Sequence, residues 1–123
     1  MQKFIITNKL AGLNEYTLKC RTHYAVGAKF KKEQQEIVKN SIINQGLKSF
    51  NTPIFVKFKW IEPNRRRDYD NIAFGKKYIF DAFQELNLLK NDNWNYVAGF
   101  EDTFAIDKEN PRIEIEIYEK GEF

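Results

Sequence analysis

Two stretches of the chain alternate between apolar and polar positions, which is the pattern of a β-strand with one buried face. The first spans residues 53–61 and its apolar set is Ile54, Val56, Phe58 and Trp60. The second spans residues 112–118, where Ile113, Ile115 and Ile117 face one way and Arg112, Glu114, Glu116 and Tyr118 face the other. Less regular patterns predict strands over 4–7 and 94–106, with a possible bulge at Gly99.

Apolar residues spaced three and four apart predict two amphipathic helices. The first covers residues 29–43 and buries Phe30, Ile37, Val38, Ser41 and Ile42, with Gly46 as its C-cap. The second starts at Asp70 or Asn71, runs to about Leu89, and buries Ile72, Ile79, Phe83 and Leu86. Residues 8–25 are ambiguous, and 16–20 are compatible with an extended segment. This element order predicts one α+β domain over residues 1–123, a mixed β-sheet with two main helices packed against it.

A chain of 123 residues that is 42% apolar and 30% charged has the composition of one globular domain rather than a disordered or membrane-spanning protein. The single cysteine, Cys20, excludes an intrachain disulfide and is expected to be a buried apolar residue. Residues 1–6 lack the apolar core of a signal peptide, so we expect a cytoplasmic protein with no membrane partner.

The net charge of +3 hides an asymmetry, because residues 101–123 carry −5 and residues 1–100 carry +8. The bases cluster at 29–39 and 57–67, which is typical of a domain that binds a polyanion such as nucleic acid. Lys57 and Lys59 are the exception, since we expect them to lie opposite Glu114 and Glu116 across neighbouring strands. In that case they are structural lysines that take no part in binding.

Residues 65–92 contain the candidate metal-binding and catalytic residues. Asp68 and Asp70 are spaced to share a hard cation such as Mg²⁺ in an extended loop, and Asp92 follows the helix. On an ideal helix Lys77 lies within about 20° of the face of Asp70. Asp92 can join that site only across a dimer, or if the chain turns back after a shorter helix. The alternative is a helix cap at Asp70, a turn residue at Asp92 and a surface pair between Lys77 and Asp81.

This segment resembles the RusA family of Holliday junction resolvases, in particular its phage and prophage branch. The similarity lies in the Arg-Arg-Asp-Tyr-Asp-Asn run 66–71, the Lys-Lys-Tyr-Ile-Phe-Asp-Ala-Phe segment 76–83 and the Lys-Asn-Asp turn 90–92. Residues 13–16, 27–29 and 110–112 extend it over nearly the whole chain. Two departures are a three-residue insertion between Asp70 and Asp81, and Asn91 where the family often has a second acid.

The resemblance implies a homodimeric, metal-dependent endonuclease that resolves four-way DNA junctions by paired symmetric nicks, in DNA recombination and repair. Asp68, Asp70 and Asp92 match the family's catalytic aspartates, which bind Mg²⁺, with Mn²⁺ as an alternative ion. The family's essential lysine falls on Lys77, with Lys76 as the second choice. A phosphodiester of DNA, rather than a small molecule, is then the substrate.

The bases around these acids are candidates for DNA contacts: Arg65, Arg66 and Arg67 beside the site, and Lys29, Lys31 and Lys32 farther along. His23 is expected at the surface and Trp60 in the core. Trp94 is expected to pack in the core, with stacking on a DNA base as the alternative. Two other functions stay open, a non-catalytic dimeric DNA-binding protein on the same fold and a protein-interaction module that uses the acidic C-terminal strand.

Overall fold

In a computed structural model, which describes residues 1–51 and 53–123, four strands form one mixed sheet. They are β1 (Gln2–Thr7), β2 (Ile54–Glu62), β3 (Val97–Ile106) and β4 (Arg112–Glu119), in the order β1-β4-β2-β3. Strand β4 pairs antiparallel with β1 and β2, whereas β2 and β3 are parallel. The predicted α+β class with a mixed sheet is therefore confirmed.

The helices are α1 (Leu13–Thr22), α2 (Tyr24–Gln45), α3 (Tyr69–Ala73) and α4 (Lys76–Glu85). Helices α2 and α4 supply Val38, Ile42, Ile79 and Phe83 to the core on the sheet face that carries the buried strand residues. Gly46 ends α2 with φ 69° and ψ 38°, as predicted for its C-cap. Ile37, by contrast, is 43% exposed and lies outside the core stripe.

The extended alternative for residues 16–20 is wrong, because they belong to α1. An extended residue, His23 (φ −171°, ψ 144°), separates α1 from α2. Its Nδ1 accepts a hydrogen bond from the backbone N–H of Ala25 at 3.1 Å and so caps α2. His23 is exposed, as the sequence predicts.

The single helix predicted from Asp70 to Leu89 is also wrong. Around Gly75 the hydrogen bonds run from residue i to i−3, with Lys77 N donating to Phe74 O at 2.9 Å, and this tight turn separates α3 from α4. After Glu85 the chain reverses at Asn87, which has φ 57°. Leu88 and Leu89 then donate to the carbonyl of Phe83 at 2.9 and 3.2 Å. Apolar spacing alone does not reveal either break, since Leu86 and Leu89 continue the helical pattern.

The predicted pairing of lysines and glutamates across β2 and β4 is confirmed. Lys57 lies opposite Glu116 and Lys59 opposite Glu114, while Lys57 Nζ lies 3.3 Å from Glu101 on β3. A register shift places Ala98 as an extra residue just before Gly99, so the expected bulge is present. These lysines lie on the exposed face of the sheet, where acids of both neighbouring strands offset their charge.

Burial separates the two tryptophans. Trp60 is 1% exposed and belongs to the core, as predicted. Trp94 is 97% exposed and precedes β3, so the expectation that it packs in the core is wrong. Cys20 is exposed as well, contrary to the expectation of burial. Within the described residues, no helix combines the length and apolar character needed to span a membrane.

Candidate active site

A surface groove of about 890 Å³ opens where the parallel strands β2 and β3 end and α3 begins. Asp68 and Asp70 line it from the start of α3, and the last residues of β3 (104–106) form another wall. The ring of Tyr69 lies against that of Phe104, with centroids 4.5 Å apart, and both residues line the groove. The carboxyl ends of parallel strands are a common position for ligand sites in sheets with helical crossovers.

The local fold sets both acids at this groove. Asp68 is the N-cap residue of α3 (φ −72°, ψ 158°), and its backbone carbonyl accepts the N–H of Ile72 at 3.0 Å. Asp70 lies in the first turn, where its Oδ1 accepts the N–H of Asn71 at 3.0 Å. Both side chains are exposed. Both carboxylates are therefore exposed at the groove, but Asp70 belongs to the first turn of α3 and the N-cap is Asp68, so neither the extended loop expected for this pair nor the cap expected at Asp70 or Asn71 is present.

Arg67 is engaged within the fold, which argues against the prediction, made from the arginine run, that it contacts phosphate. Its guanidinium binds both carboxylate oxygens of Glu62, and its Nη1 donates to the carbonyl of Leu10 at 3.0 Å. The side chain of Arg67 is only 12% exposed. Its donors are thus committed to the fold, and the run contributes two available arginines rather than three.

The remaining residues predicted to contact DNA differ in how exposed their side chains are. Arg65 and Arg66 are exposed, and Arg65 lines the groove. Lys29 and Lys32 are exposed on α2. Lys31 is half-buried and lies 3.0 Å from Asp81, so its charge is largely balanced within the protein.

Asp92 lies beside α4, because the chain turns back after Glu85. Burial raises the pKa of Asp92, the neighbouring Lys77 opposes that rise, and Asp81 adds to it. Asp81 itself lies 3.5 Å from Lys77 Nζ and accepts a hydrogen bond from Gln35 at 3.2 Å. The helix is therefore shorter than predicted and the chain turns back, but this brings Asp92 towards Lys77 and Asp81, and the described acids Asp68, Asp70 and Asp92 do not form one metal-binding group.

The two candidate lysines have different surroundings. Lys77 is about half exposed, and the one ion pair that it forms among the described residues, with Asp81, is loose. Lys76 forms an ion pair with Asp102 of β3, and its Nζ lies 4.6 Å from the centre of the Phe100 ring. Asp102 also accepts a hydrogen bond from Trp60 Nε1 at 2.8 Å. Lys76 thus joins α4 to β3, whereas Lys77 is available to a ligand.

Asn71, which follows the two acids, has a role that the sequence analysis did not identify. Its Oδ1 accepts the backbone N–H of Asn14 at 2.9 Å and so caps α1 from another element. A Cβ on Gly12 would lie 2.4 Å from the same oxygen, so only glycine fits there. An Asn directly after the acidic pair, with a glycine before the first helix, is the signal that could have suggested this contact.

The described residues of one chain contain no group of three or more acidic, histidine or cysteine side chains arranged to hold a metal ion. The exposed pair Asp68 and Asp70 does suit the chemistry of Mg²⁺, which commonly takes one or two carboxylates and completes its shell with water and phosphate oxygens. Asp92 lies instead with Asp81 and Lys77. No protein-family model matches this chain, and none of the curated proteins does.

Proposed function

We propose that this protein is a metal-dependent endonuclease of the RusA type, which resolves four-way DNA junctions by paired nicks. The observation that supports it best is the exposed pair of acids in the groove, Asp68 and Asp70, with Arg65 on the same wall. Carboxylates that face solvent next to an exposed arginine suit a bound cation beside a DNA phosphate.

In this proposal Asp68 and Asp70 hold Mg²⁺ or Mn²⁺ in the groove, while Asp92 and Lys77, which neighbour each other outside the residues that line it, supply the family's remaining acid and its lysine. A bound divalent cation would supply charge neutralisation at the phosphate and an activated water. The chain's own part is to place the phosphodiester. Arg65 and Arg66 bind phosphate oxygens at the groove, and Lys77 stabilises the charge that develops on the phosphoryl group.

The positive charge of residues 1–100 supports DNA as the ligand although two of the predicted contact residues are engaged within the fold. Arg67 and Lys31 are engaged within the fold, but Arg65, Arg66, Lys29 and Lys32 are exposed. Exposed arginine and lysine side chains of this kind bind the DNA backbone without regard to its sequence. A junction has two equivalent strands to cut, so we propose that a two-fold homodimer acts on it.

The test is incubation of the purified chain with an end-labelled synthetic four-way junction at low salt, with Mg²⁺ and with EDTA. We expect two nicks at symmetry-related positions in opposing strands, lost in EDTA. Asp70→Asn should bind the junction and not nick it, because the amide keeps the shape and removes the charge. Glu109→Gln, at an exposed position in the turn between β3 and β4, is the matched control and should nick normally.

Junction binding without nicking in any divalent metal would contradict the proposed endonuclease activity and favour the alternative, a non-catalytic DNA-binding protein. Equal nicking by Asp70→Asn and the unmodified chain would exclude this groove as the active site. Absence of junction binding at low salt would contradict DNA binding altogether.

A further inference from the structure

The side chain of Trp94 is 97% exposed, whereas the other tryptophan, Trp60, is 1% exposed. Trp94 lies in the segment 86–96 that connects α4 to β3. Tryptophan is highly buried on average in folded proteins, so an indole presented to solvent in full is informative. Such a position suggests a ligand that covers the ring.

The backbone around Trp94 is fixed by a turn. The carbonyl of Asn93 accepts the N–H of Tyr96 at 3.0 Å and that of Val97 at 2.8 Å. Asn93 Oδ1 also accepts the N–H of Asn95 at 2.9 Å. The indole is therefore carried on an ordered turn, and a ligand that binds it does not first have to order the loop.

The surroundings of this indole suit a nucleotide. Trp94 follows Asp92 by two residues, and Asp92 interacts electrostatically with Lys77. Lys90 is exposed in the same segment, with its Nζ 6.0 Å from the centre of the Tyr96 ring. An exposed aromatic ring and an exposed lysine in the same connecting segment combine base stacking with phosphate attraction.

A second copy of the chain fits this site less well. The indole stands among polar residues, with asparagine at positions 87, 91, 93 and 95. A stable protein interface buries about 800 Å² on each partner and has an apolar centre. A single indole among asparagines offers much less apolar area than that.

We propose that Trp94 is a stacking platform for an unpaired DNA base next to the strand that is to be cut. The inference rests on the proposed function in one respect, that DNA is the ligand. It adds a specificity element, because the branch point of a junction and single strands offer unstacked bases, whereas a continuous duplex does not.

The experiment is a fluorescence titration in EDTA, in which no cleavage takes place. The probes are a twelve-nucleotide oligothymidine, the four-way junction and a linear duplex. Because Trp94 is exposed and Trp60 buried, we expect quenching and a blue shift with the first two probes and little change with duplex. Trp94→Phe, which leaves only Trp60 as a fluorophore, should lose this signal. Trp94→Ala should weaken oligothymidine binding about tenfold or more.

Tyr24→Ala is the matched control, since Tyr24 is an aromatic residue that is 80% exposed at the start of α2. It should bind oligothymidine as the unmodified chain does. Unchanged binding by Trp94→Ala, or an unquenched Trp94 in the junction complex, would overturn the platform. A shift from dimer to monomer in Trp94→Ala, seen by sedimentation, would overturn it in favour of a protein interface.

The two proposals fail separately. Quenching that depends on Trp94, together with no nicking in Mg²⁺, would support the stacking role of Trp94 and contradict the proposed endonuclease activity. Nicking that is unaffected by Trp94→Ala, with no quenching, would contradict the stacking role of Trp94 and support the proposed endonuclease activity.

Discussion

The guanidinium of Arg67 binds the carboxylate of Glu62 through two parallel hydrogen bonds, from Nε to Oε1 at 2.9 Å and from Nη2 to Oε2 at 2.7 Å. Glu62 ends β2 and is 4% exposed, the one buried charged residue in the described part of the chain. Arg67 directly precedes the N-cap of α3. This ion pair therefore fixes the acids at the groove to the end of the central strand.

Loss of this ion pair should destabilise the protein strongly. Arg67→Met leaves the buried Glu62 carboxylate without a partner, and we expect the free energy of unfolding to fall by about 3–5 kcal/mol. Urea denaturation followed by circular dichroism measures it. Arg65→Met, the exposed control, should stay within about 0.5 kcal/mol of the unmodified chain. Adding Glu62→Gln to Arg67→Met should recover part of the loss, and no recovery would contradict a charge-based origin.

The exposed arginines should determine how DNA binding depends on salt. If Arg65 and Arg66 each contact one phosphate, replacing either with Ala should reduce the slope of log affinity against log salt by about one unit. Electrophoretic or anisotropy titrations of the four-way junction over a range of salt give that slope. Lys57→Ala is the control, because Lys57 lies on the opposite sheet face beside Glu101. An equal change of slope in that variant would argue for a general effect of charge.

The two neighbouring lysines should separate stability from catalysis. Lys77→Ala should slow nicking with the melting temperature unchanged, since the only ion pair described for Lys77 is the loose one with Asp81. Lys76→Ala leaves Asp102 short of a charged partner in a half-buried position, so its free energy of unfolding should fall by about 1–3 kcal/mol. The two variants are distinguished by the nicking rate, measured well below the melting temperature, and by calorimetric unfolding of each. A reversed outcome would assign the catalytic role to Lys76.

Residues whose environment is set by local periodicity were predictable from the sequence. The alternation in 53–61 and 112–118 identified both central strands and the pairing of Lys57 and Lys59 with glutamates. A helix start near Asp70 was predicted from residue types that favour an N-cap, and the observed N-cap, Asp68, lies two residues earlier. Such features depend on neighbours within one or two elements, which a linear pattern encodes.

Features that the pattern of apolar and polar positions does not encode were not predictable. Arg65, Arg66 and Arg67 are identical in type, and only the fold puts a buried glutamate against the third. The chain reversal at Asn87, with φ 57°, follows an apolar pattern that continues as if helical. Trp94 fits a strand pattern, yet the turn closed by Asn93 ends before that strand begins. The first case depends on a contact between separate elements, whereas the other two depend on local turns that an apolar pattern does not encode.

Asn71 should contribute to stability through α1. Asn71→Ala removes the acceptor that caps Asn14 N–H, and we expect a loss of about 1 kcal/mol in the free energy of unfolding. Asn71→Asp keeps an oxygen acceptor and should lose less. Asn44→Ala, at an exposed position of α2, is the control for replacing an asparagine. Thermal denaturation of the three variants measures these changes in stability. An equal loss of stability in all three would contradict the capping role.

The turn between β3 and β4 should make a pH-dependent contribution to stability. Asp107 accepts a hydrogen bond from Arg112 Nη1 at 3.1 Å and others from the backbone of Glu109 and Asn110. The hydrogen bond from Arg112 lowers the pKa of Asp107 most, and that from Asn110 adds to it. A lowered pKa in the folded state means that the contribution is complete above the unfolded pKa of about 4 and is lost as the pH falls through the folded value.

Asp107→Asn should therefore melt at a lower temperature than the unmodified chain at pH 7, and the difference should narrow only below about pH 4. Because Arg112 stays protonated throughout, protonation of the Asp107 carboxylate is the event that closes the gap. Paired melting curves from pH 7 to pH 2 measure it. Glu109→Gln, an exposed neighbour in the same turn, should show no such convergence. A gap that stays constant to pH 2 would mean that the turn is held by the shape of residue 107 and not by its charge.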